Sequence, residues 1–134
     1  MAKITSVLTP AVLAKTVDVG LFVLSQSVII PSGVVNGDSI QVVAIPAGLR
    51  LVDAHLGQPA TIGAAATAKL QKNALNADVR TDITGATTAG GADYERMSAA
   101  PQDLAATDVV EILIGGGNPT AGTILNVDLV LSRK

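Results

Sequence analysis

Asp53 and His55 stand two positions apart, and in an extended chain residues i and i+2 share a face. A carboxylate beside an imidazole can fix its tautomer for general-base work or begin a metal site. His55 is the only histidine, and there is no cysteine. A catalytic zinc needs about three protein ligands and a triad needs a placed nucleophile, so the pair reads more readily as a structural or surface contact. We assign no catalytic, cofactor-binding or metal-ligating residue.

Gly115-Gly116-Gly117 invites comparison with a phosphate-binding loop. Such loops open a helix whose N-terminus holds the anion and end in Gly-Lys-Ser/Thr. This run lies between two strand patterns and lacks that ending, so a long hairpin loop is expected. Asp18, Asp38, Asp53, Asp78, Asp82, Asp93, Asp103, Asp108 and Asp128 mostly fall at strand ends and turns, where a short acceptor closes the local backbone. Asp78 and Asp82 are close enough to share a cation, yet calcium takes about six to eight oxygen ligands and no loop has that spacing. Tyr94, followed by Glu95 and Arg96, offers large contact area with a polar tip, for anchoring a neighbour or plugging one end of the fold.

The elements that carry these residues are strands. The stretch Asn36 to Leu56 organises the chain: a turn at Asn36-Gly37-Asp38, an alternating run Ser39 to Ile45, a bend at Pro46-Ala47-Gly48, and a second run Leu49 to Leu56. Proline pre-sets φ for a turn and glycine tolerates the left-handed conformation after it, so the bend reverses or redirects a strand. Strict alternation predicts Ile40, Val42 and Ala44 opposite Gln41, Val43 and Ile45. It likewise sets Arg50, Val52, Ala54 and Leu56 opposite Leu49, Leu51, Asp53 and His55.

Before this pair, residues 1–16 contain Pro10 and no sustained period, which predicts an extended arm or a loosely paired strand. Val17 to Leu24 alternates, and Val28 to Ile30 continues it until Pro31. After the pair, Ala64 to Lys72 has helical alanine content but alternates with period 2, and we read it as a strand. Asn73 to Asp78 is expected to turn and Val79 to Thr84 to form a strand. Gly85 to Ala106 is the least regular segment, of a kind usually functional or mobile. Val109 to Ile114 and Thr123 to Leu131 are predicted to close the domain as a hairpin. The fold expected is all-β: a single-domain β-sandwich or jelly roll over residues 17–134, with about seven or eight short antiparallel strands.

Composition narrows the function. The chain has 134 residues, enough for one domain that buries about 68–70% of its unfolded surface. Lacking cysteine, it has no disulfide, thiolate nucleophile or Cys-ligated zinc. The formal net charge is −2 and the nine Lys and Arg residues are scattered singly, whereas nucleic-acid binders need a clustered basic footprint. No apolar run approaches the roughly 18 residues that span a bilayer, and Thr5, Ser6, Thr9 and Lys15 make a poor secretory signal. Neither nucleic acid nor membrane is an expected partner. The chain is 49% hydrophobic with one Phe, one Tyr and no Trp. That implies either an alanine-rich core or apolar surface buried between subunits.

The succession from Asn36 to Leu56, then a Gly/Ala/Thr-rich strand, then Ala106 to Gly116, then Thr120 to Leu131, resembles small virion structural proteins of tailed bacteriophages, in particular capsid decoration or cement proteins. The resemblance covers roughly Gly37 to the end and rests on strand and turn patterns. It implies a non-enzymatic β-sandwich module without cofactor, made in the host cytoplasm and carried on the outer surface of the phage head. There it would assemble as a homotrimer and clamp the major capsid protein lattice. The amino-terminal arm and the segment around Tyr94 are the expected contact regions. A carbohydrate-binding or adhesin module of a fibre or host-recognition spike is the alternative; sugar sites favour aromatic platforms, and the chain has two aromatics. A cupin-like enzyme would need several metal-ligating histidines.

Overall fold

The computed structural model describes residues 3–5, 21–44, 48–74, 79–104 and 108–133. Among them are ten strands and no helix: β1 (Lys3–Thr5), β2 (Leu21–Ile29), β3 (Ser39–Ala44), β4 (Leu49–Gln58), β5 (Thr67–Ala74), β6 (Val79–Asp82), β7 (Asp93–Arg96), β8 (Gln102–Asp103), β9 (Asp108–Gly115) and β10 (Ile124–Arg133). No helix among the described residues is long and apolar enough to cross a membrane.

Eight of these strands are four residues or longer, and their pairing has a single logic. In chain order, the first pairs with the last (β2 with β10), the second with the seventh (β3 with β9), the third with the sixth (β4 with β7) and the fourth with the fifth (β5 with β6), all antiparallel. A long antiparallel hairpin rolled on itself gives this nesting, and it is the jelly roll. Rolling adds the pairs β10 with β4 and β5 with β9. The two sheets are therefore β1-β3-β9-β5-β6 and β2-β10-β4-β7, with β8 paired to β4. The short β1 joins β3 in parallel; the rest of the expected arm, save residues 3–5, lies outside the described residues.

The expected closing hairpin is a crossover, and the strands on either side of the Pro46 bend also part to different sheets. β9 and β10 lie in different sheets, so the Gly-rich connection passes over one end of the sandwich instead of closing a hairpin. β3 and β4 likewise occupy opposite sheets, and the Pro46 bend, which itself falls outside the described residues, separates them. The inner faces of the two sheets then pack on each other and form the core.

The predicted faces are corrected by two bulges. In β4, Asp53 opposes Val130 and Leu51 opposes Leu131, so Val52 is the extra residue. In β3, Gln41 opposes Glu111 and Val43 opposes Val110, leaving Val42 extra. An extra residue reverses the alternation beyond it. Leu49 and Leu51 therefore point inward with Ala54 and Leu56, while Arg50, Asp53 and His55 point outward. Val43 joins Ile40 in the core and Ala44 turns to solvent.

The core between the sheets is aliphatic. Leu51, Leu56, Leu125, Leu129 and Leu131 from one sheet meet Ile40, Leu70, Ile112 and Ile114 from the other, all with 1% exposure or less. Ala54, Ala66 and Ala68 are also fully buried, but Val, Leu and Ile make up the rest of the core, so it is branched-aliphatic and not alanine-rich. Leu21, Val23, Ile29, Val35, Val79 and Ile124 nevertheless remain exposed. The strand reading of Ala64 to Lys72 holds from Thr67, but the strand runs on through Asn73 and Ala74 where a turn was expected. The supposedly irregular segment 85–106 contains β7 and β8.

Candidate functional site

Of the residues singled out for chemistry, Asp53, His55, Tyr94, Arg96 and Asp128 gather on the outward face of the sheet β2-β10-β4-β7. Cross-strand register sets Ser25, Asp128, His55 and Arg96 in one row, and Ser27, Asn126, Gly57 and Tyr94 in the next. Each row takes one residue from each of four strands, with β10 and β4 supplying the two central positions.

Asp53 and His55 do share a face. His55 Nε2 lies 3.4 Å from Asp53 Oδ2, but the same oxygen accepts a shorter bond, 3.0 Å, from Arg96 Nη2, and Asp53 Oδ1 accepts the Ala54 N–H at 2.9 Å. The Arg96 guanidinium is the main cause holding the Asp53 carboxyl below its ordinary range; burial opposes it and the Ala54 N–H assists. A carboxylate committed to Arg96 is poorly placed to orient an imidazole for base work. His55 instead lies against Tyr94, ring centroids 5.3 Å apart and planes tilted by 40°. No group of three or more His, Asp or Glu among the described residues is arranged to hold a metal ion.

Tyr94 is exposed on β7 and plugs no end of the sandwich. Its strand is fixed by Gln58, a residue the sequence reading passed over. Buried Gln58 Nε2 donates to the carbonyls of Thr88, at 2.9 Å, and Gly91. Its Oε1 accepts from Thr87 Oγ1 at 2.6 Å, and that hydroxyl accepts the Ala68 N–H. An amide at an inward strand position among aliphatics was the available signal, because a buried amide must find partners. Asp93 closes the same loop, accepting the Thr88 and Tyr94 N–H groups at 2.8 Å each. Those two bonds, Thr88 first, hold its carboxyl below the ordinary range, while burial, followed by neighbouring Asp93, pushes Glu95 up.

The Gly115-Gly117 run meets neither phosphate nor helix. A Cβ at Gly116 would collide with the Ala65 carbonyl oxygen, and one at Gly117 would stand 3.1 Å from the Ala65 Cβ. These glycines let the crossover pack against the 62–66 loop. Of the aspartates, Asp38 behaves as expected, its Oδ2 accepting the Val35 N–H at 3.0 Å. Asp53 and Asp128 sit mid-strand, and Asp18 and Asp78 lie outside the described residues.

Between Tyr94 and Asn126 the outward face sinks into an open groove of about 560 Å3 over Gly57, Pro59 and Asp128. A second hollow of about 360 Å3 shares Asn126 and Asp128 with it and extends over Ser25, Gln26 and Ser27. Sequence reasoning missed this feature because its lining comes from separate strands with ordinary surface residues.

No protein-family model matches the chain, and no curated protein matches it in sequence. Solved structures do match. A chain in the capsid of Ralstonia phage GP4 has a TM-score of 0.66 and 19% identity, the match covering 99% of each chain. One in the cyanophage Pam1 capsid asymmetric unit has a TM-score of 0.57 and 14% identity, covering 92% of this chain and 96% of that one. One in the acid-stable capsid of Helicobacter pylori bacteriophage KHP30 has a TM-score of 0.55 and 12% identity, covering 85% and 87%. At such identities the likeness is one of fold, and it extends over nearly the full length of all three.

Proposed function

We propose that this protein is a non-enzymatic structural component of a tailed-phage virion, a decoration or cement protein that binds the major capsid protein lattice on the outer surface of the head. The observation that carries this reading is the near end-to-end match to chains in three phage capsid structures. The committed Asp53 carboxylate supports it from the other side, since the one Asp-His pair is built into a surface contact with Arg96. Assembly is as a homotrimer, made in the host cytoplasm, with residues 1–16 and the segment around Tyr94 contributing contacts. Exposed Leu21 and Val23 on β2, and the cross-strand pair Ile29 and Ile124, offer apolar surface for such contacts.

The physical effect is linkage. A ligand that binds only the assembled shell stabilises it by about 2.7 kcal/mol per site when present at a hundredfold excess over its Kd. Three linked copies raise the effective concentration of each further contact. Sedimentation of the purified chain, alone and mixed with shells lacking it, tests the reading. A trimer that co-sediments with shells in saturable amount is expected; a monomer that stays in the supernatant contradicts it.

A further inference from the structure

We propose that the groove over Gly57 on the outward face of β4, β7 and β10 binds a neutral saccharide, a short chain of hexose residues. Its shape comes from a missing side chain. Gly57 sits between Tyr94 and Asn126 in one cross-strand row, and a Cβ there would stand 3.6 Å from the Asn126 Cβ and 3.8 Å from Tyr94 Cδ2. Any side chain at position 57 would thus begin to fill the notch. The groove volume, about 560 Å3, falls within the roughly 300–1,000 Å3 of small-molecule sites.

The lining matches the two-sided chemistry of a sugar. A pyranose presents an apolar C–H face and a rim of hydroxyls that both donate and accept. Tyr94, 59% exposed and backed by the His55 ring, supplies an aromatic wall. Asp128 makes no ion pair or hydrogen bond with another side chain among the described residues, so its carboxylate is open to accept from adjacent hydroxyls. Ser27 Oγ donates to Asn126 Oδ1 at 2.9 Å, which leaves the Asn126 amide NH2 as a donor beside that carboxylate. Beyond it the second hollow continues the polar strip along Ser25 and Gln26.

Charge selects among polar ligands. The open carboxylate at Asp128 disfavours phosphates and acidic sugars. A bare cation would use the carboxylate and the tyrosine face but would leave the serine hydroxyls and the amides without a role. A neutral saccharide uses all of them. The site is complete within one chain and is tested on the isolated protein, so its outcome is read separately from that of the capsid reading, which assigns the segment around Tyr94 to contacts.

The experiment is an amide NMR titration of the full chain with cellohexaose, maltohexaose and chitotetraose, each to about 10 mM, with putrescine and 3′-sialyllactose as controls; a millimolar Kd corresponds to only about 4 kcal/mol. Saturable shifts at Gly57, Tyr94, Asn126 and Asp128 with at least one neutral oligosaccharide are expected. Gly57→Val and Asp128→Asn should each weaken that binding about tenfold or more, a loss near 1.4 kcal/mol, while signals of the aliphatic core stay unmoved. Should Gly57→Val disturb those core signals, Tyr94→Ala, on an exposed side chain, replaces it. Absence of saturable shifts with all three oligosaccharides overturns the proposal. So does binding that the groove variants leave intact, or stronger occupation of the same amides by putrescine or 3′-sialyllactose.

Discussion

Glycines in this chain do two separable jobs, and substitution tells them apart. Gly116 has φ +74° and packs against the Ala65 carbonyl, whereas Gly122 has φ +86° with open space where a Cβ would go. Alanine at 122 meets only the left-handed backbone cost, about 1–2 kcal/mol. Alanine at 116 adds the steric overlap, for a total loss of about 2–5 kcal/mol. Urea unfolding of the two variants measures the difference. The Asp53 carboxyl provides a pH-dependent prediction. Its folded pKa is lowered, chiefly by Arg96, so its contribution to stability is present above the ordinary carboxylate range and is lost as pH falls below about 4. Asp53→Asn should therefore flatten the acid limb of a stability-against-pH curve. Glu95, whose folded pKa is raised by burial, has the opposite sign, and Glu95→Gln should hold or increase stability at neutral pH. At this scale the sequence was partly legible. The shared face of Asp53 and His55 follows from spacing alone, but the partner that decides their chemistry, Arg96, is brought in from 43 residues away by the β4–β7 pairing. Gly57, Asn126 and Asp128 carried no signal because no motif links them along the chain.

At the scale of elements, alternation identified the long strands and failed where a bulge or an edge intervenes. Val42 and Val52 are each an extra residue, and nothing in either run marks which residue is unpaired, so the faces of Leu49, Leu51, Val43 and Ala44 could not be assigned by counting. β7, with the sequence Asp-Tyr-Glu-Arg, has no apolar alternation because it lies at the end of its sheet and is half-exposed. Its strand character comes from the backbone that β4 offers it. The other sheet holds an element-level contact of consequence. Gln41, Glu111 and Gln71 form a row across β3, β9 and β5, and Glu111 is fully buried with Arg80 of β6 bonding its Oε1 at 3.1 Å. Removing one partner of a buried pair leaves the other stranded, at a cost of about 3–5 kcal/mol. Arg80→Ala is accordingly expected to destabilise by about that amount. The double variant Arg80→Ala with Glu111→Gln should recover part of the loss, and a thermal-unfolding double-mutant cycle reads the coupling.

For the molecule as a whole, the all-β class was legible because turn residues punctuate apolar runs throughout, and the sandwich followed from the number of runs. The nesting of the strands was not, since nothing in Val109 to Leu131 distinguishes a hairpin from a crossover between sheets. The nested order leaves the outward face of the β2-β10-β4-β7 sheet and the apolar residues Leu21, Val23, Ile29 and Ile124 exposed. Its apolar content is divided between a core of Leu, Ile and Val and residues such as Leu21, Val23 and Ile29 that remain in contact with solvent. The role proposed above has the latter buried between copies and against a shell. The most direct measurement is a cryo-electron microscopy reconstruction, at a resolution that traces side chains, of phage particles purified from the source of this chain. The account predicts three copies of the β2–β10 jelly roll around each occupied axis on the outer surface of the head, in contact with major capsid subunits. Density for the chain in the tail, or a particle that lacks it altogether, would contradict it.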